Sequence, residues 1–350
     1  MMPDSARSMA HAPAPVADAV PKKKPRRDDI QRAKGLAIFL VVLGHLVTGA
    51  PPYDADWYMG LRALIYMFHM PFFMALSGYT MYISSSQAKA QANPVSFIAQ
   101  RAKRLLIPFL IFGVLIVLGK HVVGSFLYVD NYSQNLTRDL INLLWFTQLS
   151  AAQSIWYVFV LFQICVIVAI LGPIARFPFF IFLAVLPLMM FAYGLPYFYL
   201  DRLLIFMPFF FLGGALAQRG EQFLRLVDRY LWLSLIIFGI ALATSLLIEW
   251  RLALISCGIT SIPVILGICR LPAFARDRVL LYLGALSFSI YLLNTIFIGL
   301  VKAVLLPFVS WGGSGFFIYF ALMLAAGLIG PILVKRLIFA RWRVADEITN

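Results

Sequence analysis

The chain is poor in charged residues and in cysteine, and each shortage restricts what it can be. Charged residues make up 13% of its 350 positions, against 62% hydrophobic residues and a mean hydropathy of +0.88. A soluble globular domain carries about 25% charged residues, so this composition excludes that class. The three cysteines, Cys165, Cys257 and Cys269, fall in apolar stretches without the spacing of metal ligands. We therefore predict packing roles for them and no metal site.

What the chain does have is a series of long apolar stretches. A membrane-spanning helix needs about 20 predominantly apolar residues, and helices satisfy all their backbone hydrogen bonds within lipid. We predict an all-α polytopic membrane helical bundle of about ten transmembrane helices. The candidate spans lie near residues 35–51, 63–83, 105–123, 153–171, 177–194, 203–218, 230–248, 252–269, 279–301 and 315–338.

The distribution of Lys and Arg tests this count. Ten spans place both termini on one side of the membrane, and that side would hold 23 of the 29 basic residues. Cytoplasmic loops are enriched in Lys and Arg, so we predict that both termini are cytoplasmic. The net charge of +14 then reflects topology rather than binding of nucleic acid. The six basic residues assigned to the opposite side are Arg62, Lys120, Arg138, Arg202, Arg251 and Lys302.

The polar segments predict one membrane domain with two tails. Residues 1–27 are rich in Ala and Pro and end in a basic run without an apolar core. We expect a disordered basic cytoplasmic tail that touches anionic lipid, not a signal peptide. No later polar segment exceeds roughly twenty residues, which is too short for a second domain. Residues 28–340 are thus predicted to form the transmembrane domain, and residues 341–350 a short cytoplasmic tail.

His45 is an ionisable residue inside the first apolar stretch. Such residues mark functional sites, although a lone polar residue between membrane helices often serves only as a hydrogen-bond partner. Lys34 lies eleven positions earlier, which at 100° per residue is within about 20° of the same helical face. The two would be roughly 16 Å apart along the axis. We expect a stripe with Lys34 at the surface and a neutral His45 imidazole near the midplane.

A second histidine, His69, lies in the next span. Arg62 precedes it by seven residues, about two helical turns, and therefore shares its face. Pro71 removes one backbone hydrogen bond, and a broken membrane helix is tolerated only where protein or water satisfies the freed groups. We expect a kink that opens a cavity. His69 either acts in that cavity or merely holds the kink.

Arg101 and Arg104 begin the third span. They are three positions apart and so lie on one helical face at the predicted cytoplasmic surface. Guanidinium pairs of this kind suit phosphate groups. The alternative is that both residues only anchor the helix under the positive-inside rule.

Several blocks of the sequence resemble acyltransferase family 3, the integral-membrane acyltransferases that O-acylate carbohydrates. The most specific block is a basic residue, ten intervening positions and a histidine, here Lys34 and His45. Together the blocks cover nearly the whole chain after residue 28. They are residues 29–45, 68–73 with 77–78, 101–108, 155–160, 207–214 and 283–294.

The resemblance implies a multi-pass enzyme of a bacterial inner membrane. It implies transfer of an acyl group, most simply acetyl, from cytoplasmic acyl-coenzyme A to a hydroxyl of an extracytoplasmic or lipid-linked glycan. Acyl-coenzyme A, the carbohydrate acceptor and membrane lipid are the expected partners, and the oligomeric state stays open. The expected catalytic residues are His45, His69 and Asn294. The residues expected to hold the phosphates of the coenzyme are Arg32, Lys34, Arg101 and Arg104.

Two positions depart from the family's pattern. Many members have arginine where Lys34 stands, so the charge is kept but the bidentate fork is lost. Many also have histidine where this chain has Asn294, so a polar contact survives without a titratable one. The mechanism further requires a path along which the pantetheine arm of the coenzyme reaches His45.

Two other functions fit an apolar chain with few intramembrane polar residues. A polytopic transporter of a sugar or related solute is the first, although no internal repeat is evident at half-length. A membrane anchor or assembly factor is the second, and it would tolerate loss of His45 and Lys34 together.

Overall fold

A computed structural model describes residues 27–126, 129–131 and 133–341. Within these ranges the chain is helical and contains no β-strand, only two isolated bridges between Tyr53 and Gly312 and between Phe146 and Tyr197. The all-α prediction is confirmed. The tails predicted at 1–27 and 341–350 lie almost entirely outside the described residues.

Fifteen α-helices occupy the described ranges. Short 3₁₀ turns join several of them, and two of these turns, Gln153–Ile155 and Gly313–Gly315, lead directly into the following helix. The helices are α1 Asp28–Gly44, α2 Asp56–Tyr66, α3 His69–Ile83, α4 Ser86–Ala92, α5 Pro94–Gly124, α6 Leu136–Asn142, α7 Trp156–Leu171, α8 Pro178–Val185, α9 Leu200–Arg229, α10 Leu231–Thr244, α11 Trp250–Arg270, α12 Pro272–Ala275, α13 Arg278–Ala285, α14 Ser287–Leu305 and α15 Phe316–Leu337.

Seven segments of the described chain are long and apolar enough to cross a membrane. They are Asp56–Ile83, Pro94–Gly124, Gln153–Arg176, Leu200–Arg229, Trp250–Arg270, Ser287–Leu305 and Gly313–Leu337. The other three predicted spans fall on shorter helices, namely α1 with 17 residues, Pro178–Phe191 and Leu231–Thr244. An integral membrane protein is thus supported, while the total of about ten spans and the side of the termini stay predictions.

The second span is broken near the expected proline. The break lies at Met67 and Phe68, between α2 and α3, a few residues before Pro71. The Ile65 carbonyl at the end of α2 accepts hydrogen bonds from the Phe68 backbone N–H at 3.2 Å and from the His69 ring at 2.7 Å. The Ile65 carbonyl, which the break leaves without its usual helical partner, is therefore satisfied by protein, as an interruption inside a membrane requires.

Small residues let the central helices approach closely. A Cβ added at Gly78 of α3 would collide with the Phe210 carbonyl of α9, and one at Gly213 of α9 with the Ala75 carbonyl of α3. Such close approach is the usual way in which membrane helices gain packing energy. It fixes α3 and α9, which carry His69 and Arg202, against each other.

Ionic contacts mark one end of the bundle, which we call the inner face. Asp29 at the start of α1 lies 2.7 Å from Arg270 at the end of α11. The guanidinium of Arg270 also donates two hydrogen bonds of 2.7 Å to Asp228 near the end of α9. The predicted cytoplasmic ends of three helices therefore meet at this face.

A second polar group marks the opposite end, which we call the outer face. Lys302 near the end of α14 lies 2.5 Å from the carboxylate of Asp130. Lys120 near the end of α5 donates to the backbone carbonyls of Asp130 and Asn131 at 2.9 and 3.1 Å. These are ends that the topology prediction assigns to the extracytoplasmic side.

Candidate active site

A cavity of about 690 Å³ lies in the outer half of the bundle. Helices α2, α3, α5, α7, α9, α11 and α14 contribute to its wall, together with the residues that follow α1. Both intramembrane histidines predicted to be functional, His45 and His69, line it. The size fits the range of about 300–1,000 Å³ usual for small-molecule sites.

His45 is the first residue beyond α1 and is buried. Its Nδ1 lies 3.1 Å from Oδ1 of Asn294. The Nδ2 group of Asn294 donates to the carbonyls of Ile290 and Tyr291 at 2.9 and 2.8 Å. Because both amide hydrogens are used in this way, Oδ1 faces the ring and accepts the hydrogen of Nδ1. Nε2 of His45 then keeps its lone pair, as a general base requires.

His69 begins α3 and shows a similar arrangement. Its Nδ1 donates to the Ile65 carbonyl, and the ring lies 4.9 Å from that of Tyr66. The side chain is 2% exposed and lines the cavity. The contact with Ile65 shows that His69 holds the helix break, and its place in the wall leaves Nε2 available as an acceptor.

Asn294 lies behind His45 rather than in the cavity wall. It is fully buried on α14 and is not among the residues that line the cavity. Its contact with the ring makes it a positioning residue for His45. An amide oxygen supplies the hydrogen-bond acceptor here without adding a second titratable group.

The four residues predicted to bind the coenzyme are not brought to this cavity. Arg32 is buried and donates to the Asp277 carbonyl at 3.3 Å, and the guanidinium of Arg101 lies 5.0 Å from the centre of the Phe97 ring. Lys34 and Arg104 lie on the same two helices toward the inner face, and none of the four lines the cavity.

A packed apolar layer separates these basic residues from His45. Ala37, Ile38, Val41 and Val42 of α1 are completely buried between Lys34 and His45. The path that the mechanism requires for the pantetheine arm is therefore closed along this helix in the conformation described.

The structure adds basic residues that the sequence did not assign to the site. Arg62, Lys120, Arg202 and Lys302 line the cavity. They are four of the six basic residues assigned to the side that the positive-inside rule depletes. A basic residue on that side of a membrane protein is unusual, and this is the signal in the sequence that would have found them.

Comparison with known proteins places the chain in a family. The family model described as "Acyltransferase domain" matches residues 27–336. The chain belongs to the acyltransferase 3 family.

Two relatives of this family member share part of its length. Nodulation protein NolL of Sinorhizobium fredii is 30% identical over 204 residues, which cover 54% of this chain and 48% of the relative. Nodulation protein NolL of Mesorhizobium japonicum is 30% identical over 224 residues, covering 60% and 52%. The chain thus spans about half the length of the curated relatives it matches. No solved structure matches it.

Proposed function

We propose that this acyltransferase 3 family member moves an acyl group, most simply acetyl, from cytoplasmic acyl-coenzyme A to a hydroxyl of an extracytoplasmic or lipid-linked glycan. The observation that carries the proposal is the His45 imidazole, which is held by Asn294 with its Nε2 lone pair free at the wall of an outer cavity. In this proposal, residues 28–340 form the catalytic domain, and the protein lies in a bacterial inner membrane.

His45 acts as the general base. Its Nε2 takes the proton of the acceptor hydroxyl while that oxygen attacks the carbonyl carbon of the thioester. The C–S bond then breaks, and the departing sulfur receives the proton from the imidazolium. The products are the O-acylated glycan and coenzyme A with a free thiol.

His69 and Asn294 support this step in different ways. Nε2 of His69 is an acceptor in the same cavity and holds the acceptor hydroxyl or a neighbouring one. Asn294 keeps the proton of His45 on Nδ1 and therefore preserves the basic tautomer.

The donor is proposed to bind from the inner face, where Arg32, Lys34, Arg101 and Arg104 hold its phosphates. The thioester must then travel roughly 16 Å along α1. The layer around Ile38 and Val41 is packed in this conformation, so donor binding requires neighbouring helices to separate from α1. That separation is part of the proposal.

Mass spectrometry of surface glycans tests the function directly. Glycans from cells that carry the gene should be heavier by one acyl group than those from cells without it. Cells that carry His45→Ala at a normal protein level should match the gene-less cells. Undiminished acylation in that variant would refute the role of His45. A transporter would move solute without releasing coenzyme A from acyl-coenzyme A in isolated membranes.

A further inference from the structure

The charges that line the outer cavity are unbalanced. Arg62, Lys120, Arg202 and Lys302 are basic, and Asp130 is the acidic residue that lines the same cavity. Asp130 forms an ion pair with Lys302, with 2.5 Å between Oδ2 of Asp130 and Nζ of Lys302. Among the residues that the structure describes, the remaining wall therefore carries an excess of positive charge, which a cavity inside a membrane protein holds only at a cost in free energy.

Arg62 and Arg202 line the same cavity as His45. Arg62 is close to that histidine in the fold, because its Nε donates to the carbonyl of the preceding residue, Gly44. Across the ranges that the structure describes, no carboxylate lies within ion-pair distance of either guanidinium. Lys120 differs from the two arginines, because its ammonium group donates hydrogen bonds to two backbone carbonyls.

Aromatic rings and one carbonyl hold these two guanidiniums in place. The guanidinium of Arg62 lies 4.6 Å from the centre of the Tyr66 ring, and its Nε donates to the Gly44 carbonyl at 3.3 Å. The guanidinium of Arg202 lies 4.9 Å from the centre of the Trp156 ring. A ring stabilises the cation through its face and leaves the N–H groups at the edge of the guanidinium for an oxyanion.

We propose that the acceptor is anionic, a glycan with a phosphate or a carboxylate near the hydroxyl that is acylated, and that Arg62 and Arg202 bind this oxyanion. The inference rests on the proposed function and names the class of its acceptor. The oxyanion sits between the two guanidiniums, which brings the neighbouring hydroxyl toward Nε2 of His45. A neutral glycan leaves both guanidiniums without a counter-charge and binds weakly.

The experiment follows radiolabel from acetyl-coenzyme A into glycan in isolated membranes. Butanol extraction first separates lipid-linked glycans from polymer, and anion exchange then divides each pool into bound and unbound fractions. We expect the label in a bound fraction. The pool that contains it tells whether the anion is the phosphate of a lipid carrier or an acidic sugar of the polymer. Label confined to the unbound fractions overturns the inference while leaving the proposed function intact. Label no greater than in gene-less membranes overturns both.

Variants test the two arginines. Arg62→Gln and Arg202→Gln should each lower labelling about tenfold at limiting glycan, with recovery when glycan is in excess, because only binding of the acceptor is weakened. Arg202→Lys keeps the charge and should retain more activity than Arg202→Gln at an equal amount of protein.

Arg138→Gln is the matched control, since Arg138 is an exposed basic residue assigned to the same side but does not line the cavity. It should label like the unchanged protein. If Arg62→Gln and Arg202→Gln lowered labelling equally at limiting and at excess glycan, both residues would stabilise the transition state rather than bind the acceptor. That result would overturn the inference.

Discussion

At the scale of single residues, the most informative contact is the one between His45 and Asn294. The two are 249 positions apart in the chain, so no local pattern links them. The resemblance to the family named both residues, yet only the folded chain shows that the amide is turned by Ile290 and Tyr291 so that its oxygen faces the imidazole. The tautomer of His45 follows from that geometry.

Removing the amide should therefore impair catalysis through His45. Asn294→Leu leaves Nδ1 without an acceptor, and we expect acyl transfer to fall by about tenfold or more, because the ring loses its tautomer and orientation. Asn294→His restores an acceptor and should recover much of the activity. Initial rates of acyl transfer, at equal amounts of folded protein, check both variants. Full activity of Asn294→Leu would show that the amide does not position the base.

At His69, one substitution can distinguish the structural role of the side chain from its role in the reaction. His69→Asn keeps a short polar side chain able to donate to the Ile65 carbonyl, so the helix break should survive. We expect the variant to reach the membrane in normal amounts but to transfer acyl groups about tenfold more slowly, as expected for the loss of one hydrogen bond to the acceptor hydroxyl. Unchanged rates would restrict His69 to holding the break.

At the scale of elements, close packing holds α3 and α9, two helices of the cavity wall, against each other. Residues 77–78 and 207–214, which the family resemblance singled out as sequence blocks, include Gly78 and Gly213. The structure explains both, because each glycine faces a backbone carbonyl of the other helix. The sequence blocks included these positions, but only the folded chain shows that the two glycines allow close contact between helices.

This packing predicts a difference between two glycines. Gly213→Ala places a methyl group against the Ala75 carbonyl and should cost about 1–3 kcal/mol of stability through overpacking. Gly239→Ala in α10 meets nothing within 4 Å and serves as the control. Thermal unfolding of the purified protein should show a lower midpoint for Gly213→Ala only. Equal midpoints would contradict the close approach of α3 and α9.

At the scale of the whole molecule, the two faces of the bundle give the topology a direct test. The face with Asp29 and Arg270 is predicted to be cytoplasmic, and the face with Asp130 and Lys302 extracytoplasmic. The native cysteines are all buried, which favours labelling of introduced ones.

Single cysteines at exposed positions check this orientation. A membrane-impermeant maleimide added to intact spheroplasts should label Arg138→Cys, and it should label Lys103→Cys only after permeabilisation. Both positions are exposed, so a difference in labelling reports the side of the membrane. The reverse pattern would overturn the predicted side of the termini and the assignment of the donor to the inner face.

The sequence alone determined the class of the protein and its helical nature, and its resemblance to known blocks indicated the family. The structure ends the first helix at Gly44, inside the predicted span 35–51, so that His45 lies just beyond the helix. The class and the helical nature follow from composition and hydropathy, because lipid forces the backbone into helices whatever the partners. The partner of His45, the closed layer below it and the basic wall of the cavity were decided by tertiary structure. Each depends on which helices become neighbours, and side chains far apart in the chain determine that through packing.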